Sequence, residues 1–229
     1  MRKLIVGLVG FVVACGVGQR YATGDSIVVW GTGLDNYGQL LTPGTGDPHY
    51  QIVATPPTYQ IAAPPITPEV TSNNPLAVAW ADNTSTSQWI NPTGNGSQDL
   101  PVGYYTYQTT FDLSGFAPST AVIEGNWAVD NSCEIYLNGQ STGVSLPFGV
   151  SAESSLNPFT ITTGFIQGIN TLTFPVYNVG DIDNPTGIQV QITSATADPT
   201  PEPSTLALLG VGAIGLLGYA WRKRKRNVV

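Results

Sequence analysis

Between Tyr21 and Trp221 the chain contains no lysine and no arginine. Its eight basic residues lie at the two ends, and all 15 acidic residues lie between them. Nucleic acids are bound largely by neutralising phosphates with lysine and arginine, so this distribution excludes a nucleic-acid partner. It also excludes a serine–lysine catalytic dyad. A purely anionic central region is typical of an exported soluble domain.

Histidine and cysteine are almost as scarce. His49 is the single histidine and lies in a Gly- and Pro-rich loop, which leaves a serine–histidine triad without its base. Asp130 and Glu134 are the one tempting carboxylate pair, but on a strand this spacing separates them by roughly 13 Å, too far for glycoside hydrolysis. We therefore identify no catalytic residue and expect a protein that is not an enzyme.

The N-terminus has the pattern of a secretory signal. Arg2 and Lys3 precede an apolar run over residues 4–17. We predict a signal peptide over residues 1–22. Residues 12–15 also resemble a lipobox, and whether Cys15 is removed or lipidated stays open. If it is removed, Cys133 alone supports neither a disulfide nor a cysteine metal site.

The C-terminus has three successive parts. Pro201, Glu202, Pro203 and Ser204 are followed by an apolar run over residues 205–221 and a basic end over residues 222–229. A membrane crossing takes about 20 apolar residues, with a lower limit near 17. We predict a short transmembrane helix over 205–221 and a cytoplasmic basic tail over 222–229.

This order resembles the PEP-CTERM sorting signal of bacteria that make extracellular polysaccharide. The resemblance covers about the last 29 residues. It implies an exosortase as processing partner, a membrane cysteine protease that cuts near Pro201, Glu202 and Pro203. The implied location is the inner membrane, held by the C-terminal helix, and then the cell surface or extracellular matrix after processing.

The central region reads as short strands separated by turns. Apolar and polar residues alternate in several segments, and Asn138-Gly139 is a strong hairpin signal. We predict an all-β fold, an antiparallel β-sandwich of the jelly-roll kind, over residues 76–195. Residues 23–75 are predicted to be irregular, with strands near 26–30 and 50–53 that pack on the sandwich; the alternative is that this segment is a linker. Residues 196–204 are predicted to be a linker.

Three segments together resemble galactose-binding-like jelly rolls. They are the strand that ends in Tyr136-Leu137-Asn138-Gly139, the later Gly168-Ile169-Asn170-Thr171-Leu172-Thr173-Phe174, and the terminal Asn184-Pro185-Thr186-Gly187-Ile188. With Trp127-Ala128-Val129-Asp130-Asn131 they cover about half of the chain. The resemblance implies a fold whose members bind sugars, assist enzymes or only hold structure.

Two groups are candidate binding residues. Sugars are held by aromatic faces with amide and carboxylate hydrogen bonds, which points to Trp89, Trp127, Asp130 and Asn131. The alternative is that the tryptophans are core residues and Asp130-Asn131 is a turn. Asp181 and Asp183 have the spacing of a calcium loop, with a plain acidic turn as the alternative. We expect no other cofactor.

These features support an exported, surface-sorted, non-enzymatic β-sandwich protein that associates with extracellular polysaccharide. The alternative is a structural or adhesive matrix protein without a sugar site. An exported hydrolase is a third hypothesis, and it lacks an obvious catalytic group.

Overall fold

The structure is a computed structural model that describes residues 24–72, 80–200 and 205–226. Residues 1–22, the predicted signal peptide with Cys15, lie outside this part of the chain, as do Pro201, Glu202, Pro203 and Ser204. The described strands are β1 (Asp25–Ser26), β2 (Gln51–Ala54), β3 (Glu69–Val70), β4 (Ile90–Asn91), β5 (Gly103–Asp112), β6 (Val122–Asp130), β7 (Cys133–Leu137), β8 (Gln140–Leu146), β9 (Asn157–Ile161), β10 (Ile169–Asn178) and β11 (Gly187–Ala197). The described helices are α1 (Val150–Ser154) and α2 (Thr205–Arg226).

The strands form two antiparallel sheets. The first has the order β3-β4-β11-β6-β9, with β1 also paired to β11, and the second has the order β2-β5-β10-β7-β8. From β5 in the second sheet the chain crosses to β6 in the first and returns to β7. After the β7–β8 hairpin it crosses to β9, returns to β10 and crosses again to β11. This exchange between two packed sheets is the jelly-roll arrangement, and it confirms the predicted antiparallel sandwich.

One core lies between the sheets and follows the predicted alternation. Tyr105, Tyr107 and Phe111 of β5 are buried, and Ile123 and Trp127 of β6 are buried opposite them. Successive side chains of a strand point to opposite faces, so these residues occupy one face of each sheet. Side chains from both sheets meet at the centre, where the Trp127 and Phe174 rings lie 6.3 Å apart.

The predicted hairpin is confirmed between β7 and β8. Asn138 and Gly139 both have positive φ angles, 52° and 78°, which is the backbone that a two-residue type I′ turn requires. Leu137 and Gln140 pair directly across the turn. The hairpin places β8 at the edge of the second sheet.

The segment before the main strands is part of the sandwich. β2 pairs with β5, close to the predicted position of the second strand. The first strand is shorter than predicted, because only Asp25–Ser26 pairs regularly; beyond it the chain continues along β11, with Ile27 N donating to Ala195 O at 3.0 Å and Thr32 N to Val190 O at 2.9 Å. Tyr50 and Ile52 are fully buried in the common core.

The C-terminal helix is present, but its predicted role is not supported. The helix α2 runs through the apolar run and into the basic cluster. Within the described ranges, no helix reaches the length and hydropathy that crossing a membrane requires. The transmembrane assignment of residues 205–221 is thus not supported by the part of the chain that the structure describes.

Candidate functional site

The two candidate tryptophans lie inside the protein. Trp89 is 0% exposed and Trp127 is 1% exposed. Trp127 packs between Phe159 and Phe174, each with a ring-centroid distance of 6.3 Å. Trp89 stacks on Trp80 at 4.2 Å. Neither indole has a face on which a sugar ring can stack, so the prediction that these residues bind sugar is corrected to a core role.

Asp130 is buried as well and is bound to one of these rings. Trp80 Nε1 donates a hydrogen bond to Asp130 Oδ2 at 2.9 Å, and Asp130 is 2% exposed. Burial raises the pKa of Asp130 to about 8; the Trp80 hydrogen bond opposes this rise, and the nearby Glu153 carboxyl adds to it. Asp130 Oδ1 has no hydrogen-bond partner. Trp80 and Asp130 are 50 positions apart in the sequence, and the fold brings them together in the interior.

Asn131, the fourth candidate, connects three segments. Its Oδ1 accepts a hydrogen bond from Val179 N at 2.8 Å, and its Nδ2 lies 3.5 Å from Glu153 Oε2. The side chain thus holds the end of β10 against the β6–β7 connection. This is a structural contact, and it leaves the amide little capacity for a ligand.

The acidic loop after β10 keeps its two aspartates at the surface. Asp181 and Asp183 are both exposed. In the part of the chain that the structure describes, no group of three or more His, Cys, Asp or Glu side chains is positioned to share a metal ion. Calcium binding by Asp181 and Asp183 stays a prediction.

A groove that the sequence analysis missed lies on the outer face of the second sheet. It has a volume of about 460 Å³, within the range of small-ligand sites. Its floor comes from β5, β10 and β7, and its wall from the end of β8 and the loop that follows. The lining residues used below are Tyr104, Tyr177, Tyr136, Glu134 and Pro147. We call this the tyrosine groove.

Two tyrosines form its aromatic surface. Tyr104 on β5 and Tyr177 on β10 are direct partners in the antiparallel register, and their rings lie 4.6 Å apart. Tyr104 is 58% exposed although it is large and mostly apolar. Tyr177 is half-buried, and with Tyr104 it offers an aromatic surface next to polar phenol groups.

A fixed carboxylate lies on the same face. Tyr136 Oη donates to Glu134 Oε2 at 3.0 Å, and Ser141 Oγ donates to Glu134 Oε1. The hydrogen bond to Glu134 raises the pKa of Tyr136. Both carboxylate oxygens are therefore oriented by neutral donors, and each retains lone pairs for a further donor.

The sequence did carry a signal for this groove. Tyr104, Tyr136 and Tyr177 each sit beside a buried residue on a strand, so each must point outward. Aromatic side chains at outward positions form cross-strand pairs that stabilise a sheet, and such a pair also offers a surface to a ligand. Only the pairing of β5 with β10 and β7, which the sequence did not provide, shows that the three share one face.

The fold is that of a β-sandwich with an open, aromatic sheet face. The chain also carries the PEP-CTERM protein-sorting motif, matched over residues 199–225. This confirms the resemblance read from the C-terminus and marks the chain as exported and sorted to the cell surface. No curated protein matches the chain in sequence.

Several solved structures have a similar arrangement of strands. CBM35 from Paenibacillus barcinonensis is 15% identical, with a TM-score of 0.31, and the match covers 51% of this chain and 85% of that one. A family 35 carbohydrate binding module from Clostridium thermocellum is 14% identical, with a TM-score of 0.32 and coverage of 55% and 86%. One from an environmental isolate is 15% identical, with a TM-score of 0.30 and coverage of 58% and 93%. At these scores the likeness carries no functional conclusion.

Proposed function

We propose that this protein is exported, sorted to the cell surface through its C-terminal motif, and associates there with extracellular polysaccharide through the tyrosine groove. The observation that carries the proposal is the pair formed by exposed Tyr104 and half-buried Tyr177 beside the oriented carboxylate of Glu134. A pyranose ring has an apolar C–H face and a rim of hydroxyl groups. An aromatic surface next to hydrogen-bond acceptors complements both parts.

The sorting motif supports the exported location and an exosortase as the processing partner. The chain before the motif is attached to the sandwich up to Thr200, whose backbone N donates to Gly115 O at 2.8 Å. β11 ends at Ala197. Cleavage near Pro201, Glu202 and Pro203 therefore removes no strand, and the released sandwich keeps its groove.

The proposed role is non-enzymatic. The His49 ring stacks on Trp30 at 4.1 Å, and its Nε2 lies 3.1 Å from Asp35 O, so the single histidine is held within the fold. Asp130 is buried, and Glu134 is engaged by two hydroxyl groups. These contacts favour binding over catalysis.

The test measures retention of the full-length protein by affinity electrophoresis in gels that contain the producer's own extracellular polysaccharide. We expect retention of the unmodified protein and about tenfold weaker binding of Tyr104→Ala with Tyr177→Ala, since both stacking surfaces are removed. Tyr37→Ala is the matched control, because Tyr37 is 87% exposed and lies outside the groove. Absence of retention in the unmodified protein would favour the structural or adhesive matrix alternative.

A further inference from the structure

The tyrosine groove has an unusual charge environment. All 15 acidic residues of the chain, and none of its lysines or arginines, lie between Tyr21 and Trp221. Glu134 is the acidic residue that lines the groove. No lysine or arginine of the sandwich can therefore pair with a carboxylate, sulfate or phosphate on a bound glycan.

The position of Glu134 makes its charge relevant to a ligand. Its oxygens are bound by the Tyr136 and Ser141 hydroxyl groups, which orient the carboxylate without neutralising it. Lysine or arginine next to a carboxylate would cancel its field, but here the partners are neutral. An uncompensated carboxylate attracts hydroxyl and ammonium donors and repels anions.

We infer that the tyrosine groove takes polysaccharides without negative charge, built from neutral or amino sugars, and rejects glycans that carry uronate, sulfate or phosphate groups. This inference rests on the proposed function, because it assigns a ligand class to the same groove. The neutral and amino sugars share the required chemistry: a ring face for the tyrosine pair and a hydroxyl or ammonium donor for Glu134.

The expected discrimination is modest and depends on salt. Two like charges about 6 Å apart at a protein surface repel enough to weaken binding by about tenfold at low ionic strength. At 1 M salt the screening length falls to about 3 Å, so most of this difference should disappear. A preference set by shape alone would not change with salt in this way.

The experiment compares matched oligosaccharides by titration calorimetry. The neutral probes are cellohexaose, mannohexaose and the hexamer of N-acetylglucosamine. The anionic probes are cellohexaose and mannohexaose with their C6 hydroxyls oxidised to carboxylates. The cationic probe is the hexamer of glucosamine. The protein is the full chain with its eight lysines and arginines replaced by glutamine, so that neither basic end binds the acidic probes. EDTA is present to remove bridging metal ions.

We expect at least one neutral hexamer to bind and its oxidised form to bind about tenfold more weakly at 20 mM salt. Glu134→Gln should reduce this difference to less than about threefold, while Glu124→Gln, the same charge change on an exposed position of β6, should preserve it. Equal or tighter binding of an oxidised hexamer, or a difference that Glu134→Gln leaves unchanged, would overturn the charge selection alone. Failure of every hexamer to bind would overturn the proposed function together with this inference.

Discussion

Asn138 Nδ2 donates a 2.8 Å hydrogen bond to Asn170 Oδ1, which joins the β7–β8 turn to the start of β10. Asn138 Oδ1 also accepts from Thr171 N at 3.0 Å, so the turn and the strand are held by both ends of one amide. The two asparagines belong to two separate segments that suggested a galactose-binding-like fold. In this protein those segments are connected physically, and their asparagines have a structural role.

Replacing Asn170 with alanine should destabilise the fold strongly. Asn170 is fully buried, and its Nδ2 donates to Ile166 O and Gly168 O, each at 2.8 Å. Removing it leaves Ile166 N without its acceptor and Ile166 O without its donor, at a cost of about 1–3 kcal/mol for each buried group. Gly168 O keeps Leu113 N, and Asn138 Nδ2 keeps Gly164 O. We expect a loss of about 3 kcal/mol in the free energy of unfolding, measured by urea denaturation.

Asn95→Ala is the control for this change. Asn95 is exposed, and its Oδ1 accepts a local hydrogen bond from Ser97 N at 3.0 Å. Its loss should stay below about 1 kcal/mol. Similar losses for the two variants would mean that Asn170 is not the connection described above.

The stability of the protein should fall as pH rises, because of Asp130. Its folded pKa of about 8 lies above the ordinary value of 3.8, so the folded state holds a proton that the unfolded state releases. The stabilisation is full below about pH 4 and is lost as pH rises toward 8. We expect Asp130→Asn to flatten this dependence by roughly 2 kcal/mol or more, measured by urea denaturation at pH 5 and pH 9.

The variant keeps the local geometry, because the asparagine oxygen can still accept the hydrogen bond from Trp80 Nε1. Asp99→Asn is the control, because it removes the negative charge of an exposed carboxylate and leaves the buried carboxyl of Asp130 in place. It should leave the pH dependence unchanged. An Asp130→Asn profile parallel to that of the unmodified protein would show that this carboxyl is ionised in the folded state.

Strand alternation was enough to predict the sandwich, and burial decided which predicted site residues were core. The alternation of apolar and polar residues along β5 and β6 correctly predicts which of their side chains point inward, because side-chain direction on a strand follows from position alone. The alternation of β6 places Trp127 on the same face as Ile123, which favours the alternative that it is a core residue. Trp89 precedes β4, so strand alternation does not indicate the direction of its side chain. The tyrosine groove depends on Tyr104 and Tyr177, 73 positions apart, and their pairing is a property of the topology.

Gly125→Ala should disrupt the centre of the first sheet. A Cβ at this position would lie 2.3 Å from Gln191 O and 2.7 Å from two ring atoms of Phe159. The backbone oxygen belongs to β11, the paired strand, so relief requires β6 and β11 to separate locally. We expect a loss of about 2–3 kcal/mol or failure to fold, measured by thermal unfolding. Asn126→Ala, on the neighbouring half-buried position, should cost less than about 1 kcal/mol, and equal effects would exclude steric crowding as the cause.

The sorting motif should control processing without affecting the fold. Glu202→Ala or Pro203→Ala alters the matched segment, and both positions lie beyond β11, which ends at Ala197. In cells that contain an exosortase, we expect the unmodified protein to lose its C-terminal part and both variants to keep it, measured by the intact mass of the purified chain. Asp198→Ala lies just outside the matched residues and should be processed normally. Because each variant leaves β11 and the tyrosine groove unchanged, the uncleaved protein should bind polysaccharide as tightly as the mature one. Normal cleavage of the Glu202 and Pro203 variants would show that the motif does not control processing.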